Sequence, residues 1–315
     1  MNQYKIYNEI PPGWQAACDK HNAFFHSPVW LDLLKKAFNM DTLFVWDEIS
    51  ENGIVINIFK VFIFKIGYVS FPQVAYINGN NLDKDMINEL IKLGIAKKVN
   101  ILRFTGKDVE FEPDNYCTIN ELPNTFIPNL QEWDIKKLSS SVRYSVKRSN
   151  KTGFQVVESY DSSKSKNIFE LYANVIRKNK GNIRFSKKYF KELLEYGRNN
   201  ENIKCYFSIL ENNFIGFIII IIHNNCAYYL HGACYDNYRK DCPFYGLMNE
   251  AINWAKENGL ERFDMMISPP DQQSLVTFKE KWGGTTYTTK SYTIYLNKRI
   301  GKLFSIAQKV YDMFS

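Results

Sequence analysis

The chain has 315 residues, 45% hydrophobic and 16% aromatic, with only 10 Pro and 16 Gly. That length fits two domains of ordinary size, and the apolar content excludes a disordered chain. The formal charge is +7, and it is unevenly spread: fifteen Lys or Arg and three acids lie between Lys136 and Lys191, leaving the remainder net acidic. Such a concentration suggests an anionic ligand such as a nucleotide diphosphate, coenzyme A or tRNA, although a solvated helical face suffices for most of the individual lysines.

Taken in chain order, the first nine residues carry no apolar signal core, so a cytoplasmic protein is expected. A strand, Phe44–Ile49, turns at Ser50–Gly53 into a longer strand, Ile54–Phe64. A helix over Met86–Lys98 and a strand over Asn100–Phe104 follow. After the Pro-punctuated stretch Leu122–Pro128, the join lies near Asn129–Lys137. Three helices are expected over Ile135–Lys151, Ser163–Lys178 and Ser186–Asn199, the last with Ser186 as N-cap.

A second hairpin, Cys205–Leu210 and Phe214–Ile222, then precedes a helix over Leu247–Gly259 and a strand over Glu261–Met265. Asn88, Glu89 and Ile91 match Asn249, Glu250 and Ile252 at one constant offset, which also aligns the two hairpins. The chain therefore reads as one domain written twice. An alternating strand, Thr285–Leu296, and an amphipathic helix, Ile300–Phe314, close it. That helix is expected to pack on the body, with contact to a membrane surface left open.

No segment is an expected membrane span, because the greasiest run, Phe214–Ile222, falls far short of the roughly 20 residues required. Six cysteines without a Cys-x-x-Cys pair read as reduced thiols. His223, Cys226, His231 and Cys234 form the one cluster with a metal-like look. If 226–234 is a single regular strand, Cys226 and Cys234 share one face and His231 takes the other, which argues against a shared site. No metal is expected.

Four segments resemble a known family: Phe25-His-Ser-Pro-Val-Trp30-Leu; Leu138–Phe154 with Arg143, Lys147 and Arg148; Tyr228–Cys234 followed by Pro243; and Phe263-Asp264 followed by Phe278-Lys279 and Trp282-Gly-Gly284. Their order is similar to that of the Fem-type (FemABX) aminoacyltransferases, which carry two tandem domains of the GCN5-related N-acetyltransferase (GNAT) fold and add amino acids to peptidoglycan precursors. The resemblance implies an α/β fold of two tandem GNAT-like domains, each a mixed, mostly antiparallel sheet flanked by helices. The division expected is 1–130 for a degenerate first copy, 131–298 for a second copy carrying the site, and 299–315 for the final helix. The first copy is expected to form one wall of a shared cleft.

The implied chemistry is acyl transfer, in which a cation or N–H group stabilises negative charge developing on a carbonyl oxygen. By the resemblance, Lys279 is that stabiliser and Phe278 packs beside it; Asp264, at a strand end before the Ser268-Pro269-Pro270 turn, is placed to orient the amine or receive its proton, or else caps the following loop. Tyr189, His231 and Arg184 stand at or next to acceptor-binding positions of the family, His231 replacing a tyrosine. Arg143, Lys147 and Arg148 carry the basic helix. Without the resemblance, Lys279 reads as an exposed helix lysine and Phe278 as core. The stretch Arg239–Gly246 departs from the glycine-rich phosphate loop of acetyl-CoA enzymes, because Cys242 and Phe244 stand where glycines let phosphate approach.

The function expected is transfer of an aminoacyl group from aminoacyl-tRNA to an amine of a peptidoglycan or other cell-envelope precursor, at the inner face of the membrane or in the cytoplasm. Two alternatives stay open: an acyl-CoA-dependent N-acyltransferase acting on an amino-sugar of a surface polysaccharide, and a non-catalytic nucleotide-sugar or RNA-binding protein. No bound cofactor is expected, only aminoacyl-tRNA or acyl-CoA as donor, with a nucleotide- or lipid-linked acceptor. The oligomeric state is not legible.

Overall fold

The computed structural model describes residues 4–61, 63–72, 76–79, 82–106, 117–179, 181–297, 299–301 and 303–304. They form two compact units, one running to Leu122 and resuming at Thr288, the other spanning Pro123–Tyr287.

The first unit opens with β1 (Lys5–Tyr7), α1 (Trp14–Lys20) and α2 (Pro28–Phe38). Ser27 starts α2 by accepting the Trp30 amide, and Pro28 follows where a missing N–H costs nothing. β2 (Asp41–Asp47), β3 (Asn52–Val61) and β4 (Phe64–Val69) form antiparallel hairpins. α3 (Lys84–Ala96) then carries the chain to β5 (Ile101–Gly106), parallel to β4. Ile54, Ile56 and Ile58 alternate along β3 on the face that buries Met86, Ile87, Leu90 and Leu93 of α3. On the opposite face Trp14 packs edge-on against Phe44 and tilted against Trp46.

β6 (Cys117–Ile127) leads out of the first unit. The second unit contains α4 (Ser140–Lys151), β7 (Gln155–Glu158), α5 (Ser165–Lys178) and α6 (Lys187–Gly197), the last capped by Ser186 as expected. β8 (Ile203–Leu210), β9 (Asn213–His223) and β10 (Cys226–Cys234) are antiparallel, and α7 (Pro243–Glu257) crosses to β11 (Arg262–Ile267), parallel to β10. α7 buries Leu247, Met248, Ala251, Ile252 and Ala255 against Ile218, Ile220, Phe263 and Met265. Gly259, at φ +75, follows its end. α8 (Gln273–Glu280) and β12 (Thr285–Tyr295) complete the chain.

The strand order is β1-β2-β3-β4-β5-β12 in the first unit and β7-β8-β9-β10-β11-β6 in the second. Each unit thus repeats one topology, as the sequence repeat implies. The closing strands, however, are exchanged. Asn124–Ile127 of β6 pair with β11, and Lys290–Tyr295 of β12 pair with β5. The division expected at 130 and 298 therefore differs from the observed one at 122 and 288. Alternation in 285–296 marks a strand, but it carries no information about which sheet the strand joins.

A second difference lies in β10. Its register against β9 slips between Tyr229 and His231, with Leu230 as the extra residue. The slip inverts the alternation, so Cys226 and His231 share one face and Cys234 lies on the other. Among the described residues no group of three or more His, Cys, Asp or Glu is placed to hold a metal, and no helix is long and apolar enough to cross a membrane. Ile300 and Phe304 pack against Phe64, Ile66 and Ile101; most of the expected helix Ile300–Phe314 lies outside the described residues.

Candidate active site

β10 and β11 pair only from Cys226–Tyr228 to Arg262–Asp264. Beyond that point β10 stays with β9 to Cys234, and β11 stays with β6 to Ile267. The two parallel strands therefore part at their carboxyl ends, the usual place for a ligand crevice in such sheets. Both are irregular there: β10 has the Leu230 bulge, and β11 slips between Asp264 and Ile267, with Met266 at φ +63.

Asp264 is buried, with 7% of its surface exposed. Its carboxylate accepts the Met266 amide at 2.7 Å and the Asn124 side-chain amide at 3.2 and 3.3 Å. Asn124 also donates to the Tyr287 hydroxyl at 2.9 Å. The carboxylate thus holds the β11 bulge from inside the strand.

Lys279 is not the exposed helix lysine that its local sequence implies, since only 3% of its surface is exposed. From α8 its ammonium donates to the carbonyls of Met266 at 2.8 Å and Ile267 at 3.2 Å, and to Ser268 Oγ at 2.8 Å. All three N–H bonds are engaged. Burial pulls its pKa down to about 8, while the Asp264 carboxylate works in the other direction. Lys279 and Asp264 therefore grip the same bulge, one through its carbonyls and one through its N–H. Phe278 points elsewhere: it packs with Phe244, Tyr245 and Trp282 and lines a cavity.

That cavity, of about 440 Å³, opens at the start of α7 between Arg239, Cys242, Pro243, Tyr245, Phe278 and Ser145 of α4. Cys242, at φ +60, precedes the helix without a side-chain cap. An uncapped helix start with an exposed arginine beside it favours an anion. Few backbone donors remain, however: Pro243 has no N–H, and the Tyr245 N–H is bonded to the Cys242 carbonyl. The obstruction read from Cys242 and Phe244 thus has a backbone counterpart.

Tyr189 and His231 come together, with the tyrosine hydroxyl 3.1 Å from His231 Nε2. They do so inside the core. Tyr189 is fully buried and His231 is 9% exposed, boxed by the rings of Tyr172, Phe185 and Phe190. Burial drives the imidazole pKa down to about 3, so it is neutral. This arrangement turns the expected acceptor contacts inward, because the bulge at Leu230 swings His231 onto the face covered by α5 and α6. Arg184 is exposed just before α6, its backbone N–H donating to the Tyr172 hydroxyl.

Arg143 and Lys147 are exposed on α4, Arg143 also reaching the Lys136 carbonyl at 3.3 Å. Arg148 is tied to Asp241 at 3.2 Å, joining α4 to the loop before α7. α4 holds four basic residues and no acid, with Tyr144 exposed among them.

Sequence reading missed Asn124, which reaches Asp264 from a strand far away in the chain, and Tyr287, to which Asn124 also donates; neither leaves a local signal. It also passed over Arg239 and Ser145 as cavity residues, although both lie in stretches it singled out.

Residues 136–279 match the acetyltransferase (GNAT) domain family. No curated protein sequence matches the chain. Solved structures with a similar fold include FemX, at 13% identity and a TM-score of 0.64, covering 95% of this chain and 99% of that one. Another is the C-terminal domain of a putative lysylphosphatidylglycerol synthetase from Agrobacterium fabrum, at 11% identity and a TM-score of 0.56, covering 94% and 97%. A third is a tandem GNAT protein from the clavulanic acid biosynthesis pathway, at 11% identity and a TM-score of 0.51, covering 94% and 99%. The chain has a tandem GNAT-like fold, and its second unit carries the match to the acetyltransferase (GNAT) domain family. Its fold is that of the Fem-type enzymes, as the four sequence segments imply.

Proposed function

We propose that this protein transfers an aminoacyl group from an aminoacyl-tRNA to an amine of a cell-envelope precursor. The observation that carries the reading is the cavity at the uncapped start of α7, lined by Arg239, by Asp236 and by Ser145 of α4, a helix with four basic residues and no acid. Fold similarity to FemX and to a putative lysylphosphatidylglycerol synthetase supports an envelope acceptor.

In the proposed reaction the neutral amine attacks the ester carbonyl carbon. The new C–N bond forms as the C–O bond to the ribose breaks, and the proton leaving the amine ends on the departing ribose oxygen. Charge on the tetrahedral intermediate is stabilised by the Lys279 ammonium once it exchanges one of its three acceptors for the substrate oxygen. Asp264 offsets part of the cost of burying that ammonium and keeps the bulge fixed. Phe278 forms a wall of the donor cavity. On α4, Arg143, Lys147 and Tyr144 offer the charge and stacking surface that a nucleic acid backbone requires. Tyr189 and His231 support the sheet behind the site, and Arg184 contributes charge at its edge.

The acyl-CoA alternative is disfavoured by the backbone before α7. A diphosphate needs several converging N–H groups, and Pro243 and Tyr245 withdraw two of them. The test is binding of aminoacyl-tRNA at about 50 and about 200 mM salt, beside calorimetry with acetyl-CoA. Salt-sensitive tRNA binding that Arg143→Ala weakens supports the proposal. Micromolar acetyl-CoA binding without tRNA binding sinks it, and so does full activity in a Lys279→Ala protein.

A further inference from the structure

The first unit has a feature that acyl transfer does not use. Five residues form one row across its sheet: Thr42 faces Asn57, Asn57 faces Tyr68, Tyr68 faces Arg103, and Arg103 faces Thr293. The row lies on the face opposite to the one that packs α3, because Asn57 alternates with Ile56 and Ile58.

Arg103 is half-buried in an aromatic slot. Its guanidinium carbon is 5.9 Å from the centre of the Tyr68 ring and 5.4 Å from that of Phe304. Nη1 donates to the Tyr68 hydroxyl at 3.1 Å. Nε is buried without a hydrogen-bond partner. Among the described residues no carboxylate pairs with this arginine. With Nη1 engaged, the Nε–Nη2 edge of the guanidinium has no acceptor among the described residues, and that edge is the fork that binds an oxyanion through two parallel hydrogen bonds.

The rest of the row is also short of acceptors. Asn57 is fully buried and its Nδ2 has no partner, while its Oδ1 accepts from Thr42. Thr293, 7% exposed, places a hydroxyl beside Arg103. Around the slot stand partly exposed aromatic rings: Phe59 against Tyr68, and Phe71 against both. A buried guanidinium N–H without an acceptor, set among aromatic walls, costs stability unless something acidic occupies the slot.

We infer that this slot binds the carboxylate of a small ligand, with a planar or aliphatic group of that ligand lying against Phe59, Tyr68 and Phe71. Carboxylate fits better than phosphate. Arg103 is the one cation of the row, and Lys60 and Lys65 pair across β3 and β4 on the other face. A single guanidinium fork matches the single charge and planar geometry of a carboxylate, whereas a phosphate carries more charge and a third equatorial oxygen. The slot belongs to the first unit and does not depend on the acyl-transfer reading.

The test uses the full chain with benzoate as probe, benzamide as its neutral isostere, and inorganic phosphate. Arginine Nε–H resonances are followed by proton–nitrogen NMR, and the Arg103 signal is assigned by its absence in Arg103→Lys. The expected result is a saturable shift of that one signal with benzoate, none with benzamide, and at least tenfold weaker binding of phosphate. By calorimetry, Arg103→Lys binds benzoate at least tenfold more weakly although it keeps the charge, and Thr293→Val weakens binding several-fold. The inference is overturned by an absent or non-saturable shift, by an equal response to benzamide, or by phosphate binding as tightly as benzoate. If Arg103→Lys lowers the melting temperature while benzoate binding is unchanged, the arginine is only a packing group.

Discussion

Replacing Lys279 by Met removes the ammonium and keeps most of the side-chain volume. In the wild type the charge is disfavoured, because burial brings the pKa from 10.5 to about 8. That difference corresponds to about 3 kcal/mol against the charged form in the folded state. Below pH 8 the lysine is protonated whether folded or unfolded, so the whole penalty is present. Between pH 8 and 10.5 the folded protein sheds the proton first, the unfolded chain binds more protons, and stability rises with pH. Lys279→Met has no such group. At pH 7 it loses the bonds to Met266, Ile267 and Ser268 and also escapes the penalty, so the two proteins differ by about 1–3 kcal/mol in favour of wild type. The gap should widen by up to about 3 kcal/mol at pH 10. Urea unfolding followed by fluorescence measures it, since Trp133, Trp254 and Trp282 lie in the second unit. Curves that stay parallel from pH 7 to 10, or a gap that narrows, would refute the claim that Lys279 is desolvated beside the bulge.

Three further outcomes are expected. His231, held down to about 3 by burial, stays neutral while an unfolded chain protonates near 6.5. It therefore costs stability as pH falls from 6.5 towards 3, and its ring resonances should not titrate above pH 4 in NMR spectra, a behaviour that Tyr189→Phe preserves at a cost of about 1 kcal/mol. Arg239→Ala should weaken donor binding, reduce the slope of log affinity against log salt by about one, and leave the melting temperature unchanged, because the side chain is exposed. Gly216→Ala should destabilise the protein by about 1–3 kcal/mol in urea titrations, since the added Cβ would strike Cys234 Sγ and lie 2.7 Å from the Ala233 carbonyl.

What the sequence makes legible is local. The hairpins, α3, α7 and the Ser186 cap follow from turn residues, 3.6-residue periodicity and N-cap chemistry, all of which act over a few residues. Three features were not legible, each for its own reason. The exchange of β6 and β12 depends on which edge a strand finds, and an alternating pattern such as Thr285–Tyr295 is the same for either edge. The bulge at Leu230 adds one residue to a strand, which reverses the face of everything after it, and no residue in Tyr228–His231 announces it. Lys279 lies on a short helix with an ordinary polar pattern. Its burial comes from the carbonyls that Met266 and Ile267 turn towards it, and these are set by a backbone conformation at φ +63 that the sequence does not reveal.

The two copies also differ where a donor would bind, and the difference is electrostatic. In the first unit the helix after β4 is α3, and Asp83 caps it with a carboxylate that accepts the Met86 amide at 2.7 Å. Negative charge already occupies the positive end of that helix, and Tyr76 and Ile77 are buried in the connection leading to it. An anionic donor would meet a like charge there. In the second unit the corresponding start of α7 has no side-chain cap, a cavity in front of it and Arg239 at its rim. One duplicated topology thus has this helix start neutralised by its own carboxylate in the first copy and left without a side-chain cap in the second. The repeat alone makes the copies equal. On the proposed reading, the Asp83 cap keeps an anionic donor from the first copy and the uncapped start of α7 accepts it in the second.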